Sequence, residues 1–345
     1  MSYYRIKGAP FRYKGAHNVE ACKTAQEVME CAGLNWEVQK CELVAKMPYN
    51  ENGVKHDDSF VRNLNQCTPV QNAFATYRKD INYPLGIVKD KYTPVQNIDA
   101  FNFFDGAIGK DKAIWQTAGY FGHGERIFVS AKLPKNIFVN GDPVDNYLVF
   151  TTSHDGSSGV KILFTPIRVV CQNTLNAAIR TTTNYVSFRH TSKVHSNLDI
   201  AAEILGICEN KIDELSQQYK ELAKIKMSDK EAYNAFANTI LTDKEINSIK
   251  QTGHKVEEII FKSWRAIDDA GISMKKANTL HEMANYYFNG IGQKEIVGNA
   301  WGVYNAVTGF YSNVDNNEGI KRMDTLLFGD RANKIEKVGN FLINV

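Results

Sequence analysis

The chain predicts an α+β fold, with antiparallel strands and packed helices mixed up to about His195 and helices alone after it. Three observations carry that expectation. Alternating apolar and polar runs bounded by Gly, Pro and Asn recur from Trp36 to Arg189. From Leu198 onward, apolar residues fall instead at alternating three- and four-residue spacing. With 345 residues and 43% hydrophobic side chains, there is enough apolar material to bury a core around both patterns. The expected division is a mixed core over 1–195 and a helical region over 196–345 packed on it.

The first helix is expected over 25–34, with Thr24 as N-cap and Val28, Cys31 and Leu34 on one side. A strand is expected over 36–47, and the polar, acidic stretch 48–58 reads as a loop. The pentapeptide TPVQN occurs twice, beginning at Thr68 and at Thr93. The two copies lead into different patterns: 73–78 is extended, whereas Asn97 is placed to cap a helix burying Phe101, Phe104 and Ile108. A strand over 85–92 is bounded by Pro84 and Pro94. Runs 113–121 and 126–133 form a hairpin around Gly122, His123 and Gly124. No helix succeeds that glycine cluster and no P-loop lysine accompanies it, which argues against a phosphate loop.

Asn140, Gly141 and Asp142 make a further turn before a strand over 147–152. The segment SHDGSSG, 153–159, then leads into a strand over 160–165 that Pro166 is expected to end. Val169, Val170, Asn173, Leu175 and Ile179 suggest a helix, and 185–189 a strand. Beyond Ser196, the residues Leu198, Ala201, Leu205, Cys208, Ile212, Leu215, Tyr219 and Leu222 trace the seam of one long helix. More helices are expected over 230–241, 256–270, 279–288, 299–311 and 335–343.

The unusual chemistry is concentrated between Tyr147 and His195. No Asp or Glu stands between Asp155 and Asp199, a window of 43 residues, while Lys161, Arg168, Arg180, Arg189 and Lys193 are basic. His190 and His195 can become so. Lys and Arg outnumber Asp and Glu by 23 to 17 up to His195 and trail them by 18 to 21 afterwards, balances of +6 and −3. The first part is therefore expected to face an anion, although the overall charge of +3 does not by itself demand one. Lys161, Arg168, Arg180, Arg189, His190 and Lys193 are the candidate nucleic-acid-binding residues, with Tyr120, Phe121, Tyr185 and Phe188 as candidate stacking partners. The same residue types also build turns, caps and core, which is the competing reading of the stretch.

A second candidate chemistry joins Cys171 as nucleophile to His154 and Asp155. A thiolate needs a base within reach and a path to solvent, whereas a Cys on an apolar helix side is ordinarily buried and inert. Asp155, just before Gly156, is equally placed to accept backbone N–H groups in a turn. No metal or cofactor is expected: His190 and His195 stand at an unsuitable spacing, and HEMAN at His281 lacks a second His. Six scattered cysteines without a CxxC pair, no leader-like N-terminus and no apolar run of spanning length lead to the expectation of a reduced, cytoplasmic protein.

The segments YRKDINYPLGIVKDKYTPVQNIDAFNFFD, TAGYFGHGERIFVSAKLP, YLVFTTSHDGSSGVKILFTPIRVVCQNTLNAAI and FRHTSKVHSNLDIAAEILGI, in that order, resemble the phage/plasmid-like protein family. This is a domain of unknown function carried by bacteriophages, plasmids and some bacterial chromosomes. The resemblance spans roughly residues 20–310 and is most specific over 153–176. It implies a place in phage or plasmid DNA metabolism and brings no catalytic residues with it. The expected function is non-catalytic binding of nucleic acid, single-stranded DNA favoured, similar to the single-strand annealing proteins of recombination. The alternatives are an assembly or host-interaction protein, with a homo-oligomer formed through the helices after Ser196, and a Cys171/His154 hydrolase or transferase.

Overall fold

The computed structural model describes residues 15–46, 67–108, 114–170, 173–175, 185–193, 208–315 and 319–344. A short strand β1 (Ala16–Asn18) leads to helix α1 (Ala25–Cys31), where Thr24 caps the first turn by accepting the Glu27 N–H at 3.2 Å. Strands β2 (Val38–Lys46), β3 (Cys67–Arg78) and β4 (Tyr83–Val88) make a small antiparallel sheet in that order. Helix α2 (Asn97–Ile108) then drives Phe101, Phe103 and Phe104 into the core.

A larger sheet comes next. β5 (Ile114–Phe121) and β6 (Arg126–Lys132) pair around Gly122 (φ 62°) and Gly124 (φ 121°), backbone angles open to glycine. β7 (Ile137–Val139) returns into β8 (Asp142–Ser153) through Asn140 (φ 51°) and Gly141 (φ 88°), the paired left-handed residues of a type I′ hairpin. β9 (Val160–Arg168) lies against β8, and its far edge is shared by β10 (Asn173–Thr174) and β11 (Tyr185–Phe188). The order across the sheet is β1-β5-β6-β8-β9-β10.

Strand alternation gives this sheet two buried faces. Trp115, Ile127, Val129, Leu148, Phe150, Ile162 and Phe164 enter the main core with α1 and α2. Phe121, Phe128, Tyr147, Val149, Leu163 and Ile167 point the other way and are covered by Met323 and Leu327 of a later helix. Burial on both sides accounts for the unbroken apolar run YLVF in β8.

The rest is helical: α3 (Cys208–Lys224), α4 (Asp229–Ile240), α5 (Asp243–Gln251), α6 (Val256–Ile260), α7 (Trp264–Asp269), α8 (Met274–Asn289), α9 (Ala300–Gly309), α10 (Gly319–Leu327) and α11 (Asp330–Ile343). Reciprocal capping boxes start α4 at Ser228 and Glu231 and α5 at Thr242 and Glu245. The apolar helix α9 is buried on all sides, with Tyr219 of α3 lying 4.9 Å from Trp301 and 6.0 Å from Tyr304 between ring centroids. One apolar cluster runs from Val19 to Leu342 and unites sheet and helices. Among the described residues, no helix is long and apolar enough to cross a membrane.

The α+β class is as expected from the sequence, and several local expectations are corrected. Pro166 does not end β9, which continues to Arg168. The Pro166 carbonyl accepts from Leu175 N on the β10 side (2.9 Å), and its missing N–H faces that same side, so the ladder to β8 loses nothing. The helix expected from Val169 is replaced at Asn173 and Thr174 by β10; the stretches 171–172 and 176–184 lie outside the described residues. Lys262 takes φ 61° and divides the expected helix 256–270 into α6 and α7. α5 and α10 were not expected. The two TPVQN copies differ in structure: the first lies within β3, and the second leads into α2. The loop expected over 48–58 and the seam residues Leu198, Ala201 and Leu205 also fall outside the described residues.

Gly86 of β4 lies where the small sheet presses on the chain after β8. A Cβ there would stand 2.4 Å from Asp155 O and 2.5 Å from Asp155 Cα, both backbone atoms that cannot step aside. Gly86→Ala should therefore lower the urea midpoint, by about 1–3 kcal/mol of stability, with an unchanged far-UV spectrum. Gly86 does not share the left-handed backbone of Gly253 (φ 74°), so the loss reports the close contact and not backbone strain. A Gly86→Ala midpoint equal to that of the wild type would refute the close-contact account.

Candidate nucleic-acid interface

The turn between β8 and β9 is held first by its own side chains. Ser153 Oγ donates to Ser158 O (2.7 Å) and accepts from Ser158 N (2.8 Å), and Asp155 Oδ1 accepts from Ser157 N (2.8 Å). Gly156 supplies φ 80°. The small sheet then closes on it from outside. Thr76 Oγ1 of β3 donates to His154 O at 2.6 Å, and the Tyr92 hydroxyl donates to Ser153 O at 2.8 Å.

Two histidines lie beneath this clasp. His154 is fully buried, edge-on to Trp36 at 5.4 Å, with Nε2 3.0 Å from Asn97 Oδ1. Asn97 Nδ2 donates to Leu34 O (2.8 Å) and Trp36 O (3.2 Å), so Oδ1 is left to accept and His154 Nε2 carries the hydrogen. Asn97 is thus the first residue of α2 rather than its cap: its side chain ties the helix to the chain after α1. His154 Nδ1 is buried and has no hydrogen-bond partner among the described residues. Burial, and then the charge of nearby His190, push the His154 pKa down to about 3. The imidazole is therefore neutral and sealed from solvent.

His190 is also buried, with Nε2 3.1 Å from Thr152 Oγ1 and its ring stacked on Tyr92 at 4.6 Å. Burial lowers its pKa. Its carbonyl accepts from Thr93 N at 3.1 Å. Ring and backbone together staple the segment after β11 to the segment after β4.

The sequence-derived candidates are dispersed. Arg168 has no exposed side-chain surface: Nε pairs with Asp142 Oδ2 at 2.5 Å and Nη2 donates to Gly292 O at 2.9 Å. It is structural, and phosphate cannot reach it. Lys161 is half-buried with its ammonium 4.5 Å over the Phe328 ring, where burial lowers its pKa. His190 is buried as described, whereas Arg189 and Lys193 are exposed. Arg180 and Cys171 lie outside the described residues. The two described members of the nucleophile triad do not form a pair: His154 Nε2 answers to Asn97, and Asp155 to the Ser157 N–H.

What the fold does bring together is a corner that local sequence reading missed. Lys89 and Lys91 are exposed on the segment after β4, and Arg189 and Lys193 on the segment stapled to it by His190. None of the four has an ion-pair partner among the described residues. Asp90 lies between the lysines, its N–H bound to Asn72 Oδ1 at 3.0 Å. Beside it, Phe74 of β3 is half-buried opposite Val88, with Lys40 Nζ 4.6 Å over its ring. Asp90 makes Lys89 and Lys91 look like an ordinary mixed-charge turn in the sequence, and nothing local announces the residues that join them from a hundred positions on.

These elements define an α+β protein with a two-faced antiparallel sheet, a small clasping sheet and a helical layer. Residues 84–334 match the Domain of unknown function (DUF932), and the chain belongs to this family. The match runs from β4 into α11 and takes in the clasped turn and the four exposed cations. No curated protein and no solved structure matches the chain.

The buried imidazole sets a pH dependence. An unfolded histidine binds its proton near pH 6.5 and His154 only near about pH 3, so between these values the unfolded chain takes up more protons and stability falls with falling pH. The urea midpoint should decline from about pH 7 to about pH 5, approaching 1.4 kcal/mol per unit below the unfolded pKa, and His154→Gln should flatten that decline. A wild-type midpoint constant over the range would contradict the buried neutral imidazole.

Proposed function

We propose that the protein is a non-catalytic nucleic-acid-binding protein of phage or plasmid DNA metabolism that prefers single strands. The observation that carries this reading is the corner formed by Lys89, Lys91, Arg189 and Lys193: four exposed cations without ion-pair partners among the described residues, on two segments locked together by His190. Unpaired cations held on a fixed frame neutralise phosphates without first breaking protein ion pairs. Phe74 adds an aromatic face on which a base stacks. The phage and plasmid setting is supported by the resemblance of the 153–176 segment.

The acid-free stretch contributes less directly to this reading than its composition suggests. Its exposed members Arg189 and Lys193 make phosphate contacts, while His190 positions the backbone that carries them and Arg168 serves the opposite end of β9. A self-assembling role has less support, since Ile212, Leu215, Tyr219 and Leu222 of the expected seam are buried inside the chain.

Fluorescence anisotropy with labelled oligothymidylate, matched duplex and RNA tests the proposal. Four phosphate contacts give a slope of about −2.8 for log affinity against log salt on single strands. Lys89→Glu with Lys91→Glu should weaken binding at least about tenfold and flatten the slope by about 1.4, while Lys244→Glu on α5 changes neither. Salt-insensitive binding, no binding at micromolar protein, or a double variant that binds like wild type each refutes the proposal.

A further inference from the structure

The cysteines are scattered in sequence, yet the fold brings Cys22 and Cys31 together. Cys22 N donates to Val19 O at 3.0 Å in the turn after β1, and Cys31 is the last residue of α1. The start of the helix explains the meeting. Glu27 Oε2 accepts from Lys23 N at 2.7 Å, which folds the chain before the N-cap back along the side of α1 that carries Glu27. Cys31 stands one turn further along that same side, at the i, i+4 position. The Cys22 side chain packs against the core, and its thiol is hydrogen-bonded to Cys31.

The two thiols are not equivalent. Burial, then the neighbouring Cys31 sulfur and the Glu27 carboxylate, push the Cys22 pKa up to about 11, so the proton stays on Cys22. Cys31 is exposed to solvent, whereas Cys22 is half-buried behind it. Thiol–disulfide exchange needs an accessible attacking sulfur and a second sulfur in reach to resolve the mixed disulfide. Both parts are present at the end of α1.

We infer that Cys22 and Cys31 form a reversible disulfide by exchange with a small-molecule disulfide such as oxidised glutathione. Cys31, as thiolate, attacks one sulfur of the small disulfide, and a mixed disulfide forms as one small thiolate leaves. Cys22 then gives up its proton and attacks Cys31 Sγ, displacing the second small thiolate. Two protein thiols are oxidised to one disulfide, and the small disulfide is reduced to two thiols that take up the two protons. The ring so closed ties the turn after β1 to the end of α1. The inference stands apart from the nucleic-acid reading, which uses neither cysteine.

The test equilibrates the full chain with graded mixtures of oxidised and reduced glutathione, quenches with acid, alkylates the remaining thiols and maps tryptic peptides by mass. Cleavage after Lys23 separates the two cysteines, so the disulfide reads out as peptides 15–23 and 24–40 joined together. The joined pair should saturate as the oxidised fraction rises and vanish with dithiothreitol. In urea it should need a mixture at least about tenfold more oxidising, because the fold supplies the proximity. Cys22→Ser should leave Cys31 carrying glutathione, with no thiol to resolve it, while Cys31→Ser should leave Cys22 unmodified at the same mixture. Cys41→Ser should leave the joined pair intact. Absence of the joined peptides, glutathione that persists on Cys31 of the wild type, or equal formation in native buffer and in urea overturns the inference.

Discussion

Arg168 closes β9 with its side chain wholly buried, and the meeting of sheet and helices is arranged around satisfying that charge. Asp142, the first residue of the neighbouring strand, supplies the carboxylate. The loop between α8 and α9 supplies the Gly292 carbonyl, and Trp301 at the start of α9 donates to the same carboxylate oxygen. Strand register and helix position are thereby fixed by a single cluster. Buried ion pairs contribute little net stability over an apolar replacement, yet losing one partner costs about 3–5 kcal/mol because the other charge is stranded. The cluster's consequence is geometric: it sets where the helical layer docks.

The far end of the same hairpin is fixed by different means. There the small sheet grips the 153–159 turn through Thr76 and Tyr92, and the imidazoles of His154 and His190 fill the space beneath. Twelve residues of β8 separate the two anchors, about 40 Å of strand. Because both histidines are held neutral by burial, the clasp contains polar groups without adding charge to the core. The exposed cations of the corner thus ride on a frame that their own charge does not disturb.

Fold class was legible because alternation and three-four spacing are local properties, and both kinds of core could be read from them. The errors share one cause, dependence on a distant partner. Asn97 begins a helix as its sequence suggests, but its amide serves Leu34, Trp36 and His154. Pro166 is tolerated inside β9 because Leu175 sits on the side its nitrogen faces. The candidate interface failed in the same way. Arg168 and Lys161 resemble Arg189 and Lys193 in sequence, and only Asp142 and the Phe328 ring show which cations are already engaged.

With both faces of the large sheet covered, its strands can act on other molecules only at their ends and edges. The two ends of the β8–β9 hairpin have opposite character. At the Ser153 end the flanking segments carry exposed Lys89, Lys91, Arg189 and Lys193. At the Asp142 end the chain curves around a cavity lined by carboxylates and an indole. The separation arises from the anchors themselves. At one end the buried histidines are neutral and the cations beside them have no ion-pair partner among the described residues, whereas Arg168 at the other end holds a buried carboxylate.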